Sequence, residues 1–171
     1  MIPKEITAFY NRYKTRLYNT SLRITGDSFD AEEIVQDTII KYLRTNTAKL
    51  SEEQTSAWLI KACTRASIDM LRMRRGLKVK LEKYAEEDPE EDSSQQWDSL
   101  LQSQSPQEMI GRIKRQMLLM PDGYRAVLSL LLFEGYDYSE ASQILGVEES
   151  TVRSQYLRGK RKLVEMIKNE K

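Results

Sequence analysis

The feature of this 171-residue sequence that most constrains its fold is an acidic block near the middle, residues 82–105. The block holds eight acidic side chains and one basic side chain, and its stretch EEDPEEDSSQQWDS combines low hydrophobicity with a proline and paired serines. Such a composition buries too little apolar surface to form a core and is typical of a linker. The sequence therefore predicts two domains, residues 1–81 and 106–171, joined by a flexible acidic linker over residues 82–105.

The charge of the chain is distributed unevenly along the sequence. Residues 1–81 carry a net charge of +6 and residues 106–171 carry +2, whereas the linker carries −7. The formal total of +1 is near neutral because the linker offsets two basic domains without covering them. Basic domains of this kind favour a polyanion such as nucleic acid as a partner.

Histidine, which catalysis commonly uses, is missing from the chain. Its absence excludes histidine-based acid–base catalysis and most transition-metal sites. An enzyme is thus the least favoured class, and no cofactor or metal is expected. Cys63 alone cannot form an intramolecular disulfide, which fits a reducing, cytoplasmic location. The longest apolar stretch, AVLSLLLF, is far below the roughly 20 residues that span a bilayer, so no membrane insertion is expected.

Helical periodicity runs through residues 1–81. A first helix is predicted to stop at Gly26, and a capping box of Asp30 and Glu33 predicts where a second helix begins. A third helix is expected from about Ala57 to Arg75, ending at Gly76. The apolar residues of the first helix are Ile6, Phe9, Tyr10, Tyr13, Leu17 and Ile24, and those of the second are Ala31, Ile34, Val35, Thr38 and Tyr42.

Residues 106–171 predict four further helices. Ser105, Pro106 and Glu108 combine a cap, a proline at the first helical position and an acid in the first turn, which favours a helix start. That helix is expected to reach about Met120, followed by helices in GYRAVLSLLLFEG, YSEASQILG and EESTVRSQYLRGKRKLVEMI. Because no segment keeps the alternation of a strand, the predicted fold class is all-α: an N-terminal helical bundle and a C-terminal four-helix domain.

The last two of these helices carry a helix-turn-helix pattern. Ser139 is expected to cap the first of them, Gly146 can adopt the positive φ of a tight turn, and the small Ser142 stands where the helices cross. A solvated charged face would explain the cations of the last helix but not the glycine turn. We therefore predict a DNA-reading helix, with base contacts from its N-terminal part and phosphate contacts from its flanks. Its candidate DNA contacts are Thr151, Arg153, Ser154, Arg158, Arg161 and Lys162.

The third helix has a second cationic stripe. Lys61, Arg65, Arg72 and Arg75 fall on one side, and like charges four residues apart repel unless a polyanion neutralises them. A solvated face explains this stripe equally well when the helix is considered alone. The opposite, apolar stripe comprises Leu59, Ala62, Cys63, Ala66, Met70 and Met73, with Thr64 and Ile68 expected between the cations.

Along nearly its whole length the sequence resembles the extracytoplasmic-function (group IV) RNA polymerase sigma factors of the sigma-70 family. Three motifs carry this resemblance: LRITGDSFDAEEIVQDTIIKYL (22–43), AWLIKACTRASIDMLRMRR (57–75) and MPDGYRAVLSLLLFEGYDYSEASQILGVEESTVRSQYLRGKRKL (120–163). Arg65 stands where the family usually has Asn, which bears on the preferred −10 sequence rather than on the role. Ser142 replaces the common Ala.

The resemblance implies a function and a set of partners. Such a protein is not an enzyme; it binds core RNA polymerase, directs it to promoters and helps melt the start region. Residues 1–81 would engage the −10 element and its melted strand, and residues 106–171 the double-stranded −35 element. Glu33, Gln36 and Asp37 match positions that grip the clamp coiled coil of the largest polymerase subunits. An anti-sigma factor is a further partner that the family suggests.

Two more segments acquire roles from the resemblance. The polar loop RTNTAKLSEEQ (44–54) occupies the place where the family captures an unstacked base of single-stranded DNA. The acidic linker would thread into the nucleic-acid channel of the polymerase. Two other classes stay open: a helix-turn-helix regulator that binds an operator without polymerase, and an interaction protein that blocks polymerase or a sigma regulator.

Overall fold

The computed structural model describes residues 3–45, 50–83 and 94–170, and every regular element in these ranges is a helix. The prediction of an all-α fold is confirmed. The chain divides into two compact units, Met1–Met70 and Leu71–Lys171, with the boundary inside the third helix. The helices are α1 (Pro3–Thr25), α2 (Ser28–Arg44), α3 (Glu52–Arg75), α4 (Leu77–Glu82), α5 (Ser94–Gln102), α6 (Pro106–Met117), α7 (Asp122–Leu128, continued by a π-helical turn Ser129–Phe133), α8 (Tyr138–Leu145) and α9 (Glu149–Lys168).

The first unit packs α1 and α2 together with the N-terminal part of α3. The predicted apolar face of α2 is buried as expected, and Ile39 joins it. Two polar contacts tie α1 to α3: the hydroxyls of Ser21 and Ser67 lie 2.8 Å apart, and the Cys63 thiol donates to the Leu17 carbonyl at 3.4 Å. Burial of Cys63 in this core agrees with a structural role for this residue.

Two helices begin at residues other than the predicted caps. Asp27 caps α2 by accepting a hydrogen bond from the Asp30 backbone N–H at 3.0 Å, so the predicted capping box at Asp30 is wrong. Asp137 caps α8 in a reciprocal capping box with Glu140, so the predicted cap at Ser139 is wrong as well. In each place an earlier carboxylate, three residues before the predicted cap in α2 and two in α8, reaches the first-turn amides, and the predicted cap lies inside the helix.

Helix α3 also begins earlier than the predicted start at Ala57. The backbone N–H of Ser51 donates to the Gln54 side chain at 2.9 Å, and the Gln54 N–H donates to the Ser51 hydroxyl at 3.2 Å. This exchange satisfies two amides that have no partner inside the helix. Residues 46–49 of the predicted polar loop lie outside the described residues, and its last three residues, 52–54, belong to the first turn of α3.

The second unit contains the four predicted C-terminal helices. Ser105 caps α6 through the Glu108 amide as expected, and Gly146 ends α8 with φ 72°, the left-handed conformation that the turn requires. Three of these helices, α6, α7 and α9, share an apolar core with α5. Its buried members are Trp97, Leu100, Met109, Ile113, Met117, Met120, Leu128, Leu163, Val164 and Ile167.

Two of those core residues come from the segment predicted to be a flexible linker. Residues 94–102 form α5, and its Trp97 and Leu100 are 7% and 9% exposed. The expectation of flexibility is therefore wrong for this part, because an apolar pair at i, i+3 spacing packs into the core despite the polar composition around it. Residues 84–93 lie outside the described residues, and the limits 1–81, 82–105 and 106–171 stay a prediction.

A short helix that sequence reasoning missed follows α3. The chain turns at Gly76, which has φ 62°, and continues as α4. Leu77 and Leu81, one turn apart, are fully buried, and α4 packs against α7 and α9. Among the described residues, no helix combines the length and the apolar character needed to cross a membrane.

Candidate nucleic-acid interface

The helix-turn-helix consists of α8, the turn at Gly146, and α9. The backbone N–H groups of Gly146 and Val147 both donate to the Ser142 carbonyl, at 2.8 and 3.2 Å. These bonds fix the direction in which α9 leaves the turn. Helix α9 crosses α7 closely at Gly159, where a Cβ would lie 3.3 Å from the Leu128 side chain and would require that side chain to shift.

The six candidate DNA contacts of α9 differ in exposure. Arg153 and Lys162 are exposed, and Arg158 and Arg161 are half-buried. Thr151 and Ser154 retain only 4% and 9% of their surface, although the helical wheel puts them on the outer face. Most of the cations of α9 thus reach solvent, whereas the two hydroxyls expected nearest the bases are covered in this structure.

Arg161 has donor groups that the described part of the chain leaves unsatisfied. Its Nε and one Nη are buried atoms with no hydrogen-bond partner among the described residues. Lys160, by contrast, is held between two aromatic rings, with its Nζ 5.1 Å from the Trp97 centroid and 5.2 Å from that of Tyr156. Because buried donors are nearly always paired in proteins, these Arg161 groups are suited to donate hydrogen bonds to an anionic oxygen of a ligand.

The cationic stripe of α3 lies on one side of the helix. At about 100° per residue, its four members fall within an arc of roughly 80°. Lys61, Arg65 and Arg72 are exposed and Arg75 is half-buried. Three neighbours differ from expectation: Met73 is 85% exposed instead of buried, and Thr64 and Ile68, expected between the cations, are fully buried.

Arg75 takes part in a charged cluster around Asp122, at the start of α7. The Asp122 carboxylate lies 3.2 Å from the Arg75 Nη1 and 3.2 Å from the Lys80 Nζ. The buried Arg125 donates both to Asp122 and to the Met120 carbonyl. Burial alone would raise the pKa of Asp122, but the hydrogen bond and charge of Arg125, with Lys80 and Arg75, lower it below its usual 3.8.

The three residues predicted to bind polymerase lie on one exposed face of α2. Glu33, Gln36 and Asp37 all reach solvent. Two large apolar side chains, Phe29 (82% exposed) and Ile40 (45% exposed), share this face at helical spacing. The sequence analysis missed Phe29 and Ile40. They could have been found as the apolar residues at the two ends of an otherwise polar stripe of α2. We call these five residues the α2 patch.

Two clefts border α1. One, of about 460 Å³, lies between α1 and α2 beside the α2 patch and is lined by Tyr10, Lys14, Tyr18 and Gln36, among others. The other, also about 460 Å³, lies where α1 meets the start of α3, and Phe9, Arg12 and Leu50 line it. Its edge is formed by the described end of the polar loop. In residues 3–45, 50–83 and 94–170, no group of three or more acidic or cysteine side chains is placed to hold a metal ion.

Two family descriptions match separate parts of the chain. Residues 9–76 match "Sigma-70 region 2", and residues 110–163 match "Sigma-70, region 4". The first match covers α1 from Phe9 onward and all of α2 and α3, with the α2 patch and the α3 stripe. The second covers most of α6 through the greater part of α9, with the helix-turn-helix.

Curated relatives and a solved structure agree with these matches. The chain is 28% identical over 155 residues to the ECF RNA polymerase sigma factor SigE of Mycolicibacterium smegmatis, covering 89% of this chain but only 57% of that protein. It is 25% identical to SigW of Bacillus subtilis, covering 92% of this chain and 86% of SigW. The sigma factor RpoE of Bartonella quintana, solved in complex with the anti-sigma factor NepR, shares the fold (TM-score 0.53, 19% identity, 98% and 99% of the two chains).

Proposed function

We propose, from the premise that this chain belongs to the sigma-70 family as an extracytoplasmic-function RNA polymerase sigma factor, that its helical regions divide promoter recognition between them. The chain binds core RNA polymerase, directs it to specific promoters and helps melt the −10 region. The observation that carries this proposal is the order of the two regions, region 2 over residues 9–76 and region 4 over residues 110–163. An operator-binding regulator needs only the second region.

Helix α9 reads the double-stranded −35 element. Its exposed Arg153 and Lys162 and the unsatisfied donors of Arg161 supply cations for bases and phosphates. A recognition helix makes base contacts from its N-terminal residues, which here are Thr151 and Ser154. Arg158 lies one turn after Ser154 and extends that reading surface.

Helix α3 engages the −10 element. Lys61, Arg65, Arg72 and Arg75 follow the backbone of the melted strand, since a row of cations tracks phosphates without sequence preference. The cleft lined by Phe9, Arg12 and Leu50 adjoins the predicted base-capturing loop and contributes an aromatic side chain for stacking.

The α2 patch binds the polymerase. Glu33, Gln36 and Asp37 provide polar and anionic groups, and Phe29 and Ile40 provide apolar surface that would otherwise remain in water. An exposed aromatic residue beside polar groups is the usual composition of an interface centre. No catalytic step or cofactor of its own is assigned to the chain, which acts in the cytoplasm. An anti-sigma factor, as found with the relative from Bartonella quintana, is a further proposed partner.

Reconstituted transcription tests the proposal. The purified chain, added to core polymerase and a genomic promoter library, should yield specific run-off transcripts. DNA binding without transcripts would indicate an operator-binding regulator, and polymerase binding without transcripts would indicate a blocking protein. Phe29→Ala should weaken polymerase binding, whereas Glu32→Ala, at an exposed position of the same helix outside the patch, serves as the control.

One arginine variant and one lysine variant distinguish base reading from electrostatic attraction to the phosphates. Arg158→Ala should lower affinity for the chosen −35 sequence by about 1–3 kcal/mol relative to a scrambled duplex. Lys162→Ala should weaken binding to both duplexes alike and reduce the salt slope by about one. Equal loss on both duplexes for Arg158→Ala would contradict its assignment to the bases.

A further inference from the structure

A segment at the start of the second unit, residues 71–83, lies on the helix-turn-helix. We call this segment, the last turn of α3 plus α4, the clasp. Its contacts involve side chains that promoter binding would use. They therefore bear on whether α9 is available to DNA in the conformation described above.

Three separate contacts hold the clasp in place. The Arg72 guanidinium covers the turn, since a Cβ built on Gly146 would lie 3.0 Å from its Nη2. Leu81 is fully buried, and a Cβ on Gly123 would meet both Leu81 Cδ2 (3.2 Å) and the Nε2 of Gln155 in α9 (2.8 Å). The clasp is thus packed against the turn, the start of α7 and the first half of α9.

Asp122 provides the third contact, which is ionic and pairs with two cations of the clasp. Its carboxylate binds the Arg75 Nη1 and the Lys80 Nζ, both at 3.2 Å. Asp122 is only 11% exposed, so these ion pairs are partly shielded from water. Asp122 thus occupies two cationic groups of the clasp that DNA phosphates would otherwise neutralise.

Three polar residues in the N-terminal half of α9 are buried in the same conformation, although Arg153 is exposed. Thr151, Ser154 and Gln155 are 4%, 9% and 5% exposed, and Gln155 is the one placed beside the clasp. A recognition helix must insert this half into the major groove. Through Gln155 and Leu81, a docked clasp stands beside the half of α9 that the −35 element would contact.

We infer that the clasp is an autoinhibitory element, latched by Asp122, which must leave α9 before the −35 element is read. The inference rests on the proposed function for the part that concerns DNA. In the free chain Arg75 and Lys80 form ion pairs with Asp122, and these pairs are the latch. Release exposes α9 and frees both cations for promoter phosphates at the same time.

Amide exchange of α4 measures the latch without reference to DNA. A helix of six residues is not stable by itself in water, so the α4 amides are protected only while the clasp is docked. Lys80→Gln should speed their exchange about two- to fivefold, the range expected for one partly exposed ion pair. Asp122→Asn should speed it about tenfold, since it removes both latch pairs.

A matched control lies on the same helix. Lys78 is about as exposed as Lys80 but pairs with Glu82 at 3.9 Å rather than with Asp122, so Lys78→Gln removes the same charge and leaves the latch. Exchange of α6 amides in the same samples reports unfolding of the whole unit. Should Asp122→Asn unfold the unit by leaving Arg125 without its carboxylate, the comparison of Lys80→Gln with Lys78→Gln still decides the question.

Binding to DNA completes the test. With the −35 duplex of a promoter that the holoenzyme transcribes, Lys80→Gln should bind the specific duplex more tightly relative to a scrambled one, and Lys78→Gln should not. Equal α4 exchange in all variants overturns the latch. Faster exchange with an unchanged specific-to-scrambled ratio overturns the inhibitory role. Faster exchange with no promoter transcribed by any holoenzyme overturns the proposed function while supporting the latch.

Discussion

Replacing Trp97 with Ala tests whether α5 belongs to the core of the second unit. Trp97 is 93% buried among Met109, Leu163 and their neighbours, and its ring also contacts the Lys160 ammonium. Removal of a buried tryptophan side chain costs about 3–5 kcal/mol. The same substitution in a flexible tether would cost no more than about 0.5 kcal/mol. The loss of unfolding free energy therefore differs several-fold between the two cases.

Amide exchange of α6 and α9 gives this free energy for the second unit alone, which a single unfolding midpoint of a two-unit chain does not. A loss of about 3 kcal/mol corresponds to an increase in exchange of roughly 150-fold through global opening. Gln96→Ala, on the exposed side of the same helix, is the matched control and should leave exchange nearly unchanged. In a Trp58→Phe background, the emission of Trp97 should also be blue-shifted and poorly quenched. Indistinguishable exchange for Trp97→Ala and Gln96→Ala would refute the assignment of α5 to the core.

Three further predictions concern the turn, the latch and the linker. Gly146→Ala should destabilise the second unit by about 1–2 kcal/mol in denaturant unfolding, because its φ is 72° and a Cβ would meet Arg72 at 3.0 Å. The control Gly111→Ala, inside α6, should instead stabilise the unit by about 0.4–1 kcal/mol. Equal effects of the two substitutions would contradict the turn geometry. Since the folded pKa of Asp122 is lowered, its contribution to stability is complete above the unfolded value near 3.9 and is lost as pH falls through the folded value. Acid unfolding followed by circular dichroism should thus show a stability difference between wild type and Asp122→Asn that shrinks only below about pH 4, and a difference that persists at lower pH would exclude the carboxylate as its source. Replacing the acids of residues 86–92 with amides should weaken initiation or alter the start site in reconstituted transcription, and unchanged abortive synthesis would refute a role of this segment in the polymerase channel.

The faces of the helices could be predicted from the sequence because apolar side chains recur at the helical period over four or more turns. The buried residues of α2 and the glycine turn before α9 are confirmed in this way. Helix starts were less certain because several capping residues stand close together. Asp27 and Asp30 both precede apolar positions, and only the geometry decides that the first caps α2.

Composition misled the prediction where a short apolar signal lies inside a polar block. Averaged over residues 82–105, Trp97 and Leu100 are outweighed by eight acids. Packing depends on individual side chains, however, and two large apolar residues at i, i+3 spacing suffice to dock one face of a short helix. The same reasoning applies to α4, where Leu77 and Leu81 are buried although lysines separate them and arginines precede them.

The exposure of the candidate site could not be predicted, because a helical wheel shows which residues share a face but not what covers that face. Lys80 and Asp122 are 42 positions apart, and no local pattern links them. The pairing decides whether a cation that appears available to DNA is already neutralised within the chain. Basic residues predicted from spacing therefore identify where a polyanion can bind, and the acids that reach them in the fold determine when it can. In this chain Asp122 is the acid that contacts the predicted DNA-binding residue Arg75, so its effect on α4 exchange bears on DNA recognition more directly than the net charge of either domain.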